Sequence, residues 1–175
     1  MGQVEIPLQL PLDHGFLRRE CPLCRRQFKV LLREEEMADI PRKGADEFWA
    51  SSEASQEPDA SSTKMAENFC PYCGQPSSES DWWTQEQRTY ILALAKNVML
   101  GKVRTAFQSL ETEFRGSKFV TVKASKPERD AAWISPETDD MRPFELPCCE
   151  RTIKIDEDWR GKVHCFFCGF PHPVP

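Results

Sequence analysis

Eight cysteines occur in this chain of 175 residues, and all of them belong to a motif that is present twice. Each copy opens and closes with a close pair of cysteines, and a glycine follows each closing pair. The pairs are Cys21 with Cys24, Cys70 with Cys73, Cys148 with Cys149, and Cys165 with Cys168. The flanking residues repeat as well, since Gln27–Val30 aligns with Thr152–Ile155. Both halves of the chain must therefore fold around their cysteines.

Paired thiolates separated by two residues are the ligands that tetrahedral zinc requires. The first predicted centre contains Cys21, Cys24, Cys70 and Cys73, and the second contains Cys148, Cys149, Cys165 and Cys168. Adjacent Cys148 and Cys149 correspond to an opening pair with two residues deleted. His164 and His172 are therefore alternative ligands in place of Cys148. We predict two zinc ions, one for each copy of the motif.

The remaining composition indicates a soluble, cytoplasmic protein with no membrane partner. The net charge is −5, the N-terminus lacks the pattern of a secretory signal, and no apolar run approaches the ~18 residues of a membrane span. In a reducing compartment, cysteines bind metals more often than they form disulfides.

The chain divides into four predicted parts, which are residues 1–80, 81–116, 117–143 and 144–175. In the first part, strict alternation of apolar residues over Val4–Leu12 predicts an edge strand. Gln27–Leu32 is predicted to be the first strand of a hairpin. Residues 34–68 form an acidic insert whose composition is typical of disorder.

The second part is predicted to be a long amphipathic helix, with Asp81 as N-cap and one apolar stripe from Trp82 to Phe114. The third contains a strand at Lys118–Lys123 and a linker rich in proline and charge. In the fourth, Thr152–Ile155 is predicted to pair with Lys162–His164. The fold class is α+β, with two cysteine-bearing β-units bridged by the helix.

The cysteine motifs resemble the zinc-ribbon superfamily, including the transcription-factor-IIB type ribbons of small bacterial proteins. The resemblance rests on Cys21-x-x-Cys24, Cys70-Pro-x-Cys73-Gly74, Cys165-x-x-Cys168-Gly169 and the short β-segments after each opening pair. It covers about 70 of the 175 residues. It implies two zinc ribbons, which serve in transcription machinery, in RNA factors and as protein docking modules. The Cys-Pro-x-Cys-Gly turn is also similar to rubredoxin, which holds iron and carries electrons.

Two surfaces are candidates for binding a macromolecule. The first is a basic patch that contains Arg18, Arg19, Arg25, Arg26 and Lys29. It suits nucleic acid, unless it pairs with the chain's own Glu34–Glu36 and acidic insert. The second is Trp82, which is either a partner contact or part of the core beside Trp83.

No arrangement of residues typical of catalysis or of small-molecule binding is evident, so we expect no enzyme. The leading hypothesis is a non-enzymatic adaptor or regulator that docks on a protein partner. The alternative is a nucleic-acid-binding protein that uses the basic patch, and an electron carrier of the rubredoxin type is a remote third.

Overall fold

The computed structural model describes residues 8–37, 67–115 and 128–174. Most of the acidic insert, residues 38–66, lies outside the described residues, as do Val4–Pro7 and the predicted strand Lys118–Lys123. Within the described chain the α+β class is confirmed, because short antiparallel sheets accompany one long helix. No helix in these three stretches is long and apolar enough to span a lipid bilayer.

The strands of the described chain are short and all pair antiparallel. In chain order they are β1 (Phe16–Glu20), β2 (Gln27–Leu31), β3 (Glu67–Phe69), β4 (Pro76–Ser78), β5 (Arg142–Leu146), β6 (Arg151–Ile155), β7 (Val163–His164) and β8 (Pro171–His172). Strands β1, β2, β6 and β5, in that order, form one four-stranded sheet, and β3–β4 and β7–β8 are separate hairpins. Each half of the chain therefore contributes one hairpin to the shared sheet and a second hairpin beside it.

An approximate two-fold axis relates the two halves and passes through the β2–β6 pair. Lys29 lies opposite Lys154 in this pair, and each lysine is the fifth residue after the second cysteine of its opening pair. Equivalent residues of two antiparallel strands face each other only where such an axis runs between them. The halves thus join directly through their strands, which differs from the expected arrangement with the helix as the bridge.

The hairpins β3–β4 and β7–β8 contact each other through two equivalent hydrogen bonds. The Phe69 amide donates to the Phe166 carbonyl at 2.8 Å, and the His164 amide donates to the Pro71 carbonyl at 2.8 Å. Phe69 and His164 each precede the first cysteine of a closing pair, and Pro71 and Phe166 each follow it. The two bonds are therefore copies of one another across the axis.

Two glycines allow this close approach between the halves. A Cβ atom on Gly74 would stand 3.0 Å from the His164 ring, and one on Gly169 would stand 3.0 Å from the Phe69 ring. Both glycines also have left-handed backbones, with φ of 70° and 77°, which other residues adopt at a cost. Each half thus places an aromatic ring on the glycine of the other.

Lys29 and Lys154 are buried at the axis, where their ammonium groups share one carboxylate. Oδ2 of Asp13 lies 2.9 Å from Nζ of Lys29 and 2.7 Å from Nζ of Lys154. Asp140 lies 2.9 Å from Lys29, and Asp139 lies 2.6 Å from Lys154. Burial alone would raise the pKa of Asp13, but hydrogen bonds from the two lysines outweigh it and hold this pKa well below its ordinary value.

The predicted pairing of Thr152–Ile155 with Lys162–His164 is wrong. Strand β6 pairs with β5 on one edge and with β2 on the other, so neither edge is left for β7. Strand β7 pairs with β8 instead. The two cysteine pairs of each half consequently lie on different hairpins, which approach each other at the cysteines.

The described part of the predicted edge strand, Leu8–Leu12, is not a strand. Its apolar side chains still face inward, because Leu8, Leu10 and Leu12 pack in a cluster with Leu17 and Trp83. Pro11 has no amide hydrogen to donate to a neighbouring strand, which weakens strand pairing in this segment. The alternating pattern therefore predicted burial correctly and the secondary structure incorrectly.

The predicted helix is present as α1, Gln85–Glu113. Thr84 is its N-cap and forms a capping box with Gln87, in which each backbone amide donates to the side chain of the other residue, at 3.0 and 3.2 Å. Asp81, the predicted N-cap, belongs to a separate 3-10 helix over Glu79–Trp82. The long helix therefore begins at Gln85 rather than at residue 81.

The predicted single stripe of α1 winds around the helix. Gln87, Ile91 and Ala95 are buried against the rest of the protein. Each step of four residues advances about 40° beyond a full turn, so Val103 points about 120° away from Ile91. Val103 and Phe107 are 49% and 48% exposed. The first half of α1 is part of the core, whereas the second half carries an apolar face directed to solvent.

Replacing Asp13 with Asn leaves two buried ammonium groups facing a neutral amide. We expect the free energy of unfolding to fall by roughly 3–5 kcal/mol, the usual cost of removing one partner from a buried ion pair. Urea unfolding of the metal-loaded protein at pH 7 measures the change. The matched control is Asp139→Asn, since this side chain also contacts Lys154 but is 61% exposed, and it should cost less than about 1 kcal/mol.

The same variant makes a prediction about pH. Because the folded protein holds the pKa of Asp13 below its ordinary value, the stabilisation is complete above about pH 4 and is lost progressively at lower pH. The difference between the wild type and Asp13→Asn should therefore shrink as the pH falls below about 4. Equal losses for Asp13→Asn and Asp139→Asn at pH 7 would contradict the central role of Asp13.

Candidate metal centres

The first predicted centre is assembled from the loop between β1 and β2 and the loop between β3 and β4. These loops contribute Cys21, Cys24, Cys70 and Cys73, whose sulfurs all lie within 4.8 Å of one another. The Sγ atoms of Cys21 and Cys73 are 3.8 Å apart, and those of Cys24 and Cys70 are 3.6 Å apart. The structure therefore brings all the predicted ligands of this centre together.

Backbone geometry fixes the sulfurs of this centre. The Cys24 amide donates to Sγ of Cys21, and the Tyr72 amide donates to Sγ of Cys70, both at 3.4 Å. The Gly74 amide donates to the Cys70 carbonyl at 2.9 Å, which closes the turn at the left-handed glycine. Each loop thus directs two sulfurs to one point.

The second predicted centre has the same plan. The loop between β5 and β6 contributes Cys148 and Cys149, the loop between β7 and β8 contributes Cys165 and Cys168, and their sulfurs also lie within 4.8 Å of one another. The Sγ atoms of Cys148 and Cys168 are 3.6 Å apart. Cys148 and Cys168 are exposed, whereas no cysteine of the first centre is. The second centre is therefore the more accessible of the two.

The loop between β5 and β6 corrects our interpretation of a shortened cysteine pair. Glu20 pairs with Gln27 in the first hairpin, and Glu145 pairs with Thr152 in the second. Six residues lie between the paired positions in each hairpin, so nothing is deleted. At these equivalent positions Leu146 stands in the place of Cys21, and Cys148 stands in the place of Leu23. The first ligand has thus moved to the loop tip, which explains its exposure. Comparing Glu20-Cys-Pro with Glu145-Leu-Pro in the sequence could have revealed this.

The two candidate histidines have different positions. Nε2 of His172 lies 3.2 Å from Sγ of Cys148, so the second centre has a fifth donor within reach of its exposed ligand. The His164 ring instead lies against Gly74 of the first half, and His164 does not belong to either group of converging sulfurs. His172 remains an alternative ligand, and His164 packs between the halves.

The sulfur distances fit a tetrahedral ion and do not fit disulfides. Four thiolates at 2.3 Å from a zinc ion are about 3.8 Å apart, whereas disulfide sulfurs are about 2.05 Å apart. The observed separations of 3.6 to 3.8 Å therefore match a shared ion.

Burial raises the pKa of the Cys70 thiol well above its ordinary value and raises that of Cys149 to about 11. These sulfurs become thiolates at neutral pH only beside a cation.

Part of the predicted basic patch is engaged within the protein. The Arg18 guanidinium contacts Glu137 at 3.0 Å and Asp140 at 2.7 Å, and Lys29 is fully buried against Asp13. These acids belong to residues 137–140 and to the N-terminal segment rather than to Glu34–Glu36. The sequence reasoning missed Asp13 and residues 137–140 as partners, although three acids within four residues of the charge-rich linker were a visible signal.

The other patch residues divide between buried and exposed. Arg19 is buried, and its guanidinium carbon lies 4.4 Å from the centre of the Trp83 ring. Arg25 and Arg26 are exposed. Nη2 of Arg25 contacts Glu20 at 2.7 Å. Of the five predicted contact residues, Arg25 and Arg26 are therefore the ones that present charge to solvent.

Of the two interpretations of Trp82, the structure supports a place in the core and not a partner contact. Trp82 is fully buried, and its ring centre lies 5.8 Å from that of Phe28 and 5.5 Å from that of Phe166. These rings come from both halves, so Trp82 helps to seal the interface between them. Trp83 is buried as well, as predicted, in the cluster that contains Leu17, whereas Trp82 belongs to a separate apolar cluster with Phe28 and Phe166. Two adjacent tryptophans reach two different clusters because the 3-10 helix ends between them.

Removing single donors should distinguish the two centres. We expect Cys148→Ser and His172→Ala each to retain two metal ions per chain, because either donor can complete the second centre, whereas the double variant should retain one. Cys149→Ser should also lose one ion. Metal content after gel filtration, measured by atomic emission, tests this. Loss of an ion in Cys148→Ser alone would show that His172 is not a ligand.

The matched comparison is Cys70→Ser in the first centre. This sulfur is fully buried, and no histidine lies in its group of donors, so we expect loss of one ion. Because metal binding contributes to folding, the melting temperature should fall by more than about 10 °C. A Cys70→Ser protein with two ions and an unchanged melting temperature would contradict the assignment of this centre.

Comparison of the chain with protein-family models, with curated proteins and with solved structures finds no match. The two groups of four cysteines themselves are consistent with zinc-ribbon-like sites. The case for a metal-binding protein therefore rests on the geometry of these residues.

Proposed function

We propose that this protein is a non-enzymatic, zinc-binding docking protein. One observation carries the proposal. The hairpins that carry the two candidate metal centres pack together through the shared sheet. The second half of α1 extends from them with an apolar face toward solvent. Exposed apolar surface of this extent is typical of protein–protein contact sites. The eight free cysteines fit a reducing compartment such as the cytoplasm.

Zinc is the ion that we propose for both centres. Four thiolates in a tetrahedral arrangement suit zinc or iron, and a zinc ion with four protein ligands has no open position for catalysis. Its role is then to supply folding free energy to hairpins too small to fold alone. Iron would make the rubredoxin-like alternative the better one, and purified protein would then be red instead of colourless.

Protein is favoured over nucleic acid as the partner because the basic patch is largely neutralised from within. Arg18 and Lys29 are paired with acids of the same chain, and the net charge of −5 adds a general repulsion toward phosphate. Arg25 and Arg26 are the observation that keeps nucleic acid as the second candidate.

Photo-crosslinking tests the docking proposal directly. A photoreactive amino acid placed at Val103 in the cellular protein should form cross-links to protein, and Phe107→Glu in the same chain should abolish them. The control position is Thr105, which is also exposed but lies about 160° further round the helix, and it should give none. Equal cross-linking at the two positions would contradict a docking role for this face.

A fluorescence-anisotropy titration tests the second candidate. The zinc-loaded protein is mixed with DNA and RNA oligonucleotides at two salt concentrations, with Arg25→Ala/Arg26→Ala as the comparison. We expect no binding that depends on these arginines. Binding that weakens steeply with salt and disappears in the double variant would replace protein docking with nucleic-acid binding.

A further inference from the structure

The apolar face of α1 is long, regular and exposed. Its side chains are spaced three or four residues apart and are 37% to 49% exposed. They are Met99, Val103, Phe107, Leu110 and Phe114. At 1.5 Å per residue the face extends about 22 Å along the helix. We refer to these five residues as the outer face.

This part of the helix needs a partner for its stability. Beyond Ala95 no residue of α1 is buried, and isolated helices of about 15 residues are marginally stable in water. The buried face of the first half cannot support the second, because the stripe has wound about 120° away from it. A surface that covers the outer face would supply the missing packing.

The charges beside the outer face follow a pattern that specifies the partner. Lys102 and Glu113 lie on one flank, and Arg104 and Glu111 lie on the other, as 3.6 residues per turn dictate. On each flank the basic residue lies nearer the N-terminus of the helix. The acidic residue follows 11 residues later on the flank of Lys102 and 7 residues later on the flank of Arg104. Acids in the last turn also oppose the helix dipole, whose negative end lies there. Each flank is therefore complementary to itself when its direction is reversed.

We propose that the outer face binds the outer face of a second copy of this chain, with the two α1 helices antiparallel. This inference rests on the proposed docking function and names its partner. Around an axis near Phe107, Val103 of one copy packs near Leu110 of the other, and Met99 packs near Phe114. Lys102 then lies beside Glu113, and Arg104 beside Glu111, of the second copy.

A parallel pair is excluded by the same charges. With both helices in one direction, the two bases of one copy lie level with the two bases of the other, and the acids lie level with the acids. Like charges placed beside each other in this way are destabilising. The antiparallel pair also places the positive end of each helix dipole beside the negative end of the other.

Sedimentation equilibrium of the zinc-loaded full chain, from about 1 to 200 µM, tests self-association. We expect the mass to rise with concentration from 20.2 kDa toward twice that value. Phe107→Glu and Leu110→Glu should stay at the monomer mass throughout, with unchanged zinc content and with the circular dichroism that the wild type shows at its lowest concentration. Thr105→Glu, which adds the same charge on the far side of the helix, should behave as the wild type.

Charge reversal tests the antiparallel direction. Lys102→Glu and Glu113→Lys should each weaken self-association about tenfold, because each puts like charges together at two places in the dimer. An equimolar mixture of the two variants should associate as well as the wild type, since Lys and Glu then face each other at both places. In a parallel pair, Lys102 of one copy would lie beside Arg104 of the other, so Lys102→Glu would strengthen association. The mixture of the two variants would then associate no better than the average of the separate variants. This result would overturn the proposal.

A monomer at all concentrations would also overturn self-association while leaving the docking function to the cross-linking experiment. Cross-links from Val103 to a different protein would then identify a heterologous partner for the outer face. Cross-links absent from Val103 together with a monomeric protein would overturn both proposals. The two measurements therefore separate the failure of one from the failure of the other.

Discussion

Two lysine side chains meet at the centre of the fold, and one carboxylate between them makes the arrangement stable. The repeat places Lys29 and Lys154 opposite each other at the approximate two-fold axis, where burial would make their repulsion large. Asp13 contacts both ammonium groups, and residues 137–140 close the other side. The first acid comes from the segment before the repeat and the others from the segment between its halves. The shared sheet thus depends on residues outside the repeated motif.

Metal binding and the contact between halves depend on the same hairpins. The loops that hold the sulfurs are also the loops that exchange backbone hydrogen bonds and place His164 on Gly74 and Phe69 on Gly169. An ion bound in either centre would therefore also stabilise the contact between the hairpins β3–β4 and β7–β8, on which the other centre depends. The second centre has two exposed cysteines and His172 beside one of them, whereas no cysteine of the first centre is exposed.

The sequence predicted local features well and the relations between the halves poorly. Cysteine spacing identified both groups of converging sulfurs, and the strand predicted directly after the first cysteine pair is present as β2, because these signals lie within a few neighbouring residues. The partners of β6 depend on how two distant hairpins meet, which no local pattern contains. Cys148 was misplaced because alignment on cysteines hid the matching Glu-x-Pro residues. The helix stripe was judged continuous because 3- and 4-residue steps were counted alike, although repeated steps of four rotate the stripe off the core.

Asp13 also determines whether the halves are interchangeable. A symmetric frame has room at its axis for one carboxylate, and this carboxylate belongs to one half only. A protein built from two copies of the first half would bring two copies of Asp13 to the same point. One built from two copies of the second half would lack Asp13 and would leave its lysines to Asp139 and Asp140. The repeat has thus become two specialised parts of one folding unit, and neither part could regenerate the molecule by duplication.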